Sequence, residues 1–354
     1  MGAGRDGQEL RGMIRVWMNH WFSTAVSIIE LLKAGRGDVY VIGSNEHEYS
    51  VIRNVCDEWY REPVLPENEY VEFCLRFCEE HRIGVFMPRR GMVKISEQKE
   101  RFEAAGVRVM MDDYAIVSVL NQKESAYRYF QEYGIAPVPD YRIVRTVKEF
   151  REAYGELAGK YPQVCFKFVR DEGGKSFRLI DNQRKGYAAL FKKQNTRMTL
   201  DDALDALSER EVFAPLMVMP FLPDEEISVD CLDTAKGLIA LPRVKGYEKY
   251  ETLRYDPEIL AVCEKFQDTA GLRCPYNIQF KYLNGVPFFL EVNTRMSGGV
   301  QMACHASGVN IPQIALDRLL GRETDWENAR EPRLVAQILR PVTLGPYPDG
   351  ADPE

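Results

Sequence analysis

The chain has 354 residues, 45% of them hydrophobic and 28% charged, with a formal net charge of −7. This composition excludes a disordered chain, and the length exceeds one ordinary core, so two or three subdomains are expected. The acidic balance leaves no global attraction for nucleic acid or an anionic membrane, and no apolar run approaches the length of a membrane span.

The first dozen residues, MGAGRDGQELRG, lack an apolar segment and read as a leader or disordered extension, not a signal peptide. Cys56, Cys74, Cys78, Cys165, Cys231, Cys263, Cys274 and Cys304 form no CxxC pair, and His20, His47, His81 and His305 are equally dispersed. They read as reduced core thiols, without zinc or disulfides, in a cytoplasmic protein.

The periodicity then predicts a strand over 13–18, a helix over 25–32 and a strand over 39–42, which make a βαβ unit. A helix over 69–80, a strand over 83–88, a helix over 97–105 and a strand over 107–110 repeat the alternation. A small parallel sheet with flanking helices follows for residues 13–112. Asn19-His20-Trp21-Phe22-Ser23 stands where a dinucleotide site needs GxGxxG, so neither nicotinamide nor flavin is expected there. Arg89 and Arg90 follow a strand's carboxyl end, where open α/β sheets bind ligands; they suit an anionic substrate or a solvated turn.

Asn121 and Glu124 have capping-box spacing for a helix ending near Tyr133, with Lys123 in its first turn; Thr146 and Glu149 repeat the box for a helix over 146–157, and a third helix spans about 200–210. Between the last two, Lys167 interrupts the apolar strand 164–170, where a buried ammonium needs a partner such as phosphate. Gly173, Gly174, Lys175 and Ser176 follow, and a turn of this kind can fold its amides and side chains over phosphates. Apolar 216–222 contains Pro220, which marks an edge or linker, and the free backbone of Met219, Pro220, Phe221 and Leu222 can pair with adenine. Glu226 is placed to accept from a ribose hydroxyl. Strands over 227–232 and 238–244, the second ending in Arg243 and Lys245, lead to an amphipathic helix over 257–271.

Residues 276–282 and 286–292 read as a hairpin joined at Asn284-Gly285. Alternation puts Asn277, Gln279 and Lys281 on one face of the first strand, and Glu291, Asn293 and Arg295 on one face of the second. A carboxylate and amide oxygens suit a hard cation, and the arginine suits an anion; a merely wet sheet face is the plainer alternative. Ser297-Gly298-Gly299 then opens a helix over 300–307 whose amides can hold an anion.

In this order the residues resemble the ATP-grasp superfamily, in its carbamoyl-phosphate-synthetase and biotin-carboxylase-like branch, over about 13–320. The resemblance implies an α/β and α+β chain: the small parallel-sheet domain, then a two-subdomain ATP-grasp fold with a lid at 113–215, a large catalytic subdomain at 216–345 and a tail at 346–354. It implies that Lys123, Lys167 and the loop 171–176 meet the phosphates of ATP, Met219 to Leu222 adenine and Glu226 ribose. Gln279, Glu291 and Asn293 would hold Mg2+, or Mn2+ in its place. Arg295, with Arg243 and Lys245 behind it, would steady the reacting group, and Ser297, Gly298, Gly299 and Arg89 the substrate. Gln279 stands where many members carry an acid, and the glycine loop is sparse beside that of biotin carboxylase. The implied activity is an ADP-forming ligase that activates a small carboxylate as an acyl phosphate for an amine or other nucleophile. The alternatives are a small-molecule kinase or a regulatory ATP binder. No nucleic acid or membrane partner is implied, and a homodimer is compatible.

Overall fold

The structure, a computed structural model, describes residues 12–47, 49–170, 174–183, 196–246, 250–328, 330–338 and 340–344. The expected tail, and all of the expected leader except Gly12, lie outside the described residues. Among the described residues no helix is long and apolar enough to cross a membrane. The chain divides into two compact units, Met1–Asn121 with Ile227–Ile278 and Val292–Glu354, and Gln122–Glu226 with Gln279–Glu291.

The first unit begins with β1 (Ile14–Asn19), α1 (Ala25–Lys33), β2 (Val39–Asn45), β3 (Glu58–Arg61), α2 (Glu67–Glu80), β4 (Val85–Met87), α3 (Met92–Glu97), α4 (Lys99–Ala104), β5 (Arg108–Val109) and α5 (Tyr114–Leu120). Its sheet has the order β3-β2-β1-β4-β5 and is parallel throughout. Successive side chains of β1 leave on opposite faces. Val16 and Met18 join Ile28, Ile29 and Leu32 of α1, while Trp17 stacks between Phe77 and Phe86 at centroid distances of 4.3 and 4.2 Å. The strand order reverses about β1, so the carboxyl ends of β1 and β4 flank the crevice where such sheets take ligands. The helix expected over 97–105 is Lys99–Ala104, and Gln98 separates it from a further short helix, Met92–Glu97, that precedes it.

The second unit contains α6 (Lys123–Glu132), β6 (Arg142–Val144), α7 (Val147–Ala158), β7 (Val164–Phe168), β8 (Arg178–Ile180), β9 (Arg197–Met198), α8 (Leu200–Ser208) and β10 (Leu216–Pro220). Its sheet has the order β6-β10-β7-β8-β9. The capping box at Thr146 is present, each partner bonding the other's backbone amide. The one expected at Asn121 is not: Asn121 is helical and closes α5, and α6 starts after Gln122 with no side-chain cap. The strand with Pro220 is not an edge. β10 pairs with both β6 and β7, but β6 ends opposite Val218, so Pro220's missing N–H costs no ladder bond on that side.

The remaining elements are β11 (Glu226–Thr234), β12 (Gly237–Lys245), β13 (Tyr250–Leu253), α9 (Pro257–Ala270), β14 (Tyr276–Leu283), β15 (Val286–Asn293), α10 (Val300–Ser307), α11 (Ile311–Leu319) and β16 (Arg333–Ala336). They form a third sheet, β15-β14-β11-β12-β13-β16. Asn284 and Gly285 both take positive φ, +54° and +79°, as a two-residue hairpin turn with right-handed twist requires. The eight cysteines are free thiols and seven are buried.

Candidate functional site

In the second unit Lys167 is 9% exposed in β7, opposite Met217 of β10, and Met219 faces Cys165 in the same ladder. Beyond it, the amide of Phe221 donates to the Gln163 carbonyl at 2.9 Å, so that part of the expected adenine backbone is already engaged. Met219 and Leu222 are buried. Of the loop after β7, Gly173 lies outside the described residues. Gly174 has φ +66° and is exposed, as is Lys175, and the Ser176 hydroxyl accepts from the Phe168 amide at 2.9 Å, closing the loop on the strand.

The same unit holds one end of the hairpin. α6, which starts at Lys123, packs on β15 through Phe130 and Phe289, whose rings stack at 3.6 Å, and the Phe289 amide donates to Pro137. Glu226 lies 3.8 Å from the Lys281 ammonium, which donates to the Asp224 carbonyl at 3.2 Å. Gln279 is half-buried in β14 between buried Ile278 and Phe280. In β15 the burial alternates through Phe289, then slips one residue at Leu290, as a β-bulge would make it. After the slip Val292 is buried and Glu291 and Asn293 are the half-buried positions. Burial pushes the Tyr127 hydroxyl well above its usual range, with Cys165 and the Glu291 carboxylate adding to it. Gln279 and Glu291 belong to the second unit, and Asn293 and Arg295 to the first.

In the first unit Arg243 is not a solvent-facing cation. It is 2% exposed; its Nε donates to Asp230 at 2.8 Å, Nη2 to the hydroxyls of Ser297 and Ser228 at 3.1 and 3.3 Å, and Nη1 to Glu251. Burial alone would push the guanidinium down, but Asp230 and Glu251 outweigh it and hold it above its ordinary value. The network continues: Ser297 donates to Asp230 at 2.6 Å and accepts from the Gly299 amide at 3.1 Å, and Asn277, fully buried, donates to Asp230 at 3.0 Å. A Cβ on Gly299 would stand 2.4 Å from Arg243 Nη1, so the turn 297–299 lies directly on the guanidinium. Asn277 therefore does not join Gln279 on an open face, because Ser228 and Asp230 of the neighbouring strand claim its amide. Lys245 is exposed at the end of β12. At the carboxyl end of β4, Arg90 stacks over Tyr70 at 4.4 Å and donates to Leu65, so it is an internal tie, whereas Arg89 lies over Phe22 at 4.8 Å.

Residues 212–341 match the family described as ATP-grasp in the biosynthetic pathway with Ter operon. The chain is 25% identical over 309 residues to the arginine-specific large chain of carbamoyl phosphate synthase from Geobacillus stearothermophilus, covering 85% of this chain and 28% of that one. It is 25% identical over 323 residues to the large chain from Thermus thermophilus, covering 86% and 29%. Among solved structures it resembles the biotin carboxylase domain dimer of Hydrogenobacter thermophilus 2-oxoglutarate carboxylase, with MgADP, ADP and bicarbonate (TM-score 0.65, 16% identity, 90% of this chain and 72% of that one). It also resembles N5-carboxyaminoimidazole synthetase from Staphylococcus aureus with ADP (TM-score 0.67, 12% identity, 92% and 82%). The chain has the ATP-grasp fold, and its residues 212–341 match an ATP-grasp family. It spans less than a third of the length of the carbamoyl phosphate synthase chains it matches.

An ATP-grasp protein needs oxygen ligands for a hard cation. Glu291 and Gln279, half-buried in the second unit, and Asn293, half-buried in the first, are residue types of that chemistry. Asp230 and Ser228 escaped the sequence reading, although polar residues two apart in an otherwise apolar strand, 227–232, carry the signal. Phe22 and Tyr127 had none, being ordinary aromatics until the fold places them.

Proposed function

We propose that this chain is an ATP-dependent, ADP-forming ligase: a substrate carboxylate attacks the γ-phosphate of ATP, and an amine or other nucleophile captures the resulting acyl phosphate. Supporting this is one observation above the others, a lysine, Lys167, only 9% exposed in an otherwise apolar strand of an ATP-grasp fold, a cation that suits an ATP phosphate. Lys123 joins it on the phosphates, with Gly174, Lys175 and Ser176 and the Gly173 position; Met219 to Leu222 hold adenine and Glu226 the ribose. Gln279, Glu291 and Asn293 hold Mg2+ or Mn2+, which when bound neutralises phosphate charge. Arg295 steadies the carboxylate and the charge that develops on it. Arg243 acts from beneath, fixing Ser297, Gly298 and Gly299 in place, and Lys245 stays a weaker candidate for the acceptor side. No side chain serves as nucleophile. A homodimer is carried into this reading from the biotin carboxylase domain, which is described as a dimer.

ADP release against panels of carboxylates and amines tests the proposal. ADP formed only when both substrate classes are present supports ligation, and ADP formed with one alone replaces it with a kinase. Glu291→Gln and Asn293→Ala should each abolish ADP formation while the circular dichroism stays native; full activity in either removes the metal assignment.

A further inference from the structure

Asn19-His20-Trp21-Phe22-Ser23, which stands in place of a dinucleotide fingerprint, closes β1 at the switch point of the first sheet. His20 takes φ +50°, in the left-handed region that suits glycine, and its amide donates to the Ser44 carbonyl at 2.9 Å. A residue with a side chain holds that conformation at a cost, and such costs gather where function requires them. The turn brings the imidazole to Glu62, with Nε2 3.0 Å from Oε2. The histidine side chain is 15% exposed and that of Glu62 is fully buried.

Proton directions around Glu62 follow from groups that can only donate. The Trp17 indole donates to the Ser44 hydroxyl at 2.7 Å, which sends its own hydrogen to Glu62 Oε1 at 2.6 Å. Asn19 Oδ1 accepts from the Arg89 amide at 2.6 Å, so its Nδ2 donates to the Tyr70 hydroxyl at 2.7 Å, and Tyr70 donates to Oε2 at 2.6 Å. Burial pushes the Tyr70 hydroxyl up, so it keeps that hydrogen. Two hydroxyls thus bond the charged form of the acid. A carboxylate facing Nε2 sets the tautomer, with the hydrogen on Nε2 and the lone pair on Nδ1. Arg90, whose Nη1 donates to Glu46 and Nη2 to the Leu65 carbonyl, lies 3.1 Å from Nε2 as a neighbouring charge. Nδ1 has no hydrogen-bond partner among the described residues and is not one of their buried unpartnered atoms, so it meets solvent. Two residues on, the Phe22 ring lies 5.6 Å from the Arg295 guanidinium, and a Cβ on Gly298 would stand 3.5 Å from it. The loop that carries the imidazole therefore adjoins the arginine and the turn assigned to the reacting carboxylate.

We infer that His20 is the general base of the ligase, taking a proton from an acceptor that arrives as a primary ammonium, with Glu62 as the residue that positions it. This rests on the ligase reading and deepens it by naming the class of the second substrate. Nδ1 takes one proton from R–NH3+, leaving R–NH2 and an imidazolium whose Nε2–H stays on Glu62. The freed lone pair attacks the carbonyl carbon of the acyl phosphate. The bond from that carbon to the phosphate oxygen breaks, its electron pair leaves with phosphate, and phosphate takes the second proton from nitrogen. A carboxylate behind the imidazole favours the charged ring that the transfer creates.

Two acceptor probes separate the base from the ligase. Hydroxylamine is uncharged at neutral pH and needs no base, whereas methylamine arrives as methylammonium. With the full chain, ATP, Mg2+ and a panel of carboxylates, His20→Gly should lower the ratio of methylamide to hydroxamate by about 100-fold or more, and added imidazole should restore it. Glycine fits φ +50°, so this variant keeps the fold. Glu62→Gln should lower the same ratio by turning the ring over. Nitrogen NMR of labelled histidine should show Nε2 protonated and Nδ1 bare in the native chain, and the reverse in Glu62→Gln. An unchanged ratio in His20→Gly, or a native ring protonated on Nδ1 alone, overturns the inference, and hydroxamate formed by the native chain then keeps the ligase. A native chain that forms neither product with any carboxylate sinks the ligase and the base with it.

Discussion

Replacing Gly299 with alanine isolates one contact. The residue has φ −110° and ψ 0°, a conformation alanine adopts without strain, so the substitution carries no backbone penalty of the kind a left-handed glycine would. What it adds is a methyl group 2.4 Å from Nη1 of Arg243 and 2.7 Å from Cζ and Nη2. An exposed arginine would swing aside. This one is buried and tied to Asp230, Glu251, Ser228 and Ser297, so moving it means giving up charge-assisted bonds. One such bond is worth about 1.5–3 kcal/mol and overpacking costs about 1–3 kcal/mol, so the variant should lose roughly 2–4 kcal/mol. Gly298→Ala is the control. Its nearest contacts would be 3.5 Å, ordinary van der Waals distances, and it should stay within about 0.5 kcal/mol of the parent. Urea unfolding of both variants gives the comparison. A double-mutant cycle with Arg243→Met then asks whether the guanidinium is the cause. In that background the Gly299→Ala cost should shrink by at least about 1 kcal/mol, and additivity within about 0.5 kcal/mol would refute the reasoning.

Four further outcomes follow from the same structure. Hydrogen bonding to Arg36 holds the Asp38 carboxyl down at about 2, so its stabilisation is present above the usual value of 3.8 and is lost as pH falls toward 2. Its side chain is 40% exposed, so Asp38→Asn should cost no more than about 1 kcal/mol at neutral pH, and the two unfolding curves should converge in acid. Burial pushes the thiols of Cys56, Cys165 and Cys304 up to about 12, so at pH 8 a disulfide reagent should find almost no fast-reacting thiol in the native chain and all eight after denaturation. Rapid stoichiometric labelling would contradict the burial. Gly285→Ala, at φ +79°, should lower the urea midpoint by an equivalent of about 1 kcal/mol. Gly155→Ala, exposed in α7 with nothing within 4 Å of the new methyl, should raise it by about 0.5–1 kcal/mol.

What could be read from the chain depended on whether the signal was local. The Asn284-Gly285 turn and the Thr146 box each need only a few adjacent residues, and both appear in the structure. The box at Asn121 had the same spacing but lost to a competitor invisible to that pattern, the short helix α5 that ends on Asn121 itself. Strands such as β3 and β9, of four and two residues, have too little periodicity to stand out and exist because a neighbouring strand offers a ladder.

Arg243 is the sharpest case of the non-local kind. At the end of an apolar strand, followed by Lys245, it reads as one of a pair of surface cations available to a substrate. The register sets Ser228 across from Arg243 and Asp230 across from Leu241, so a serine and a carboxylate on β11 lie within reach of the guanidinium. Glu251 approaches from β13 and Ser297 from beyond the hairpin. Residues 8 to 54 apart in the chain thus complete a buried cation's bonds, and no one of them alone would justify burying it. Lys245, two residues on and bearing the same charge, remains exposed. The difference between the two lies in the cross-strand register; the 297–299 turn also lies against the guanidinium, so a suspected catalytic cation is instead the support beneath that turn.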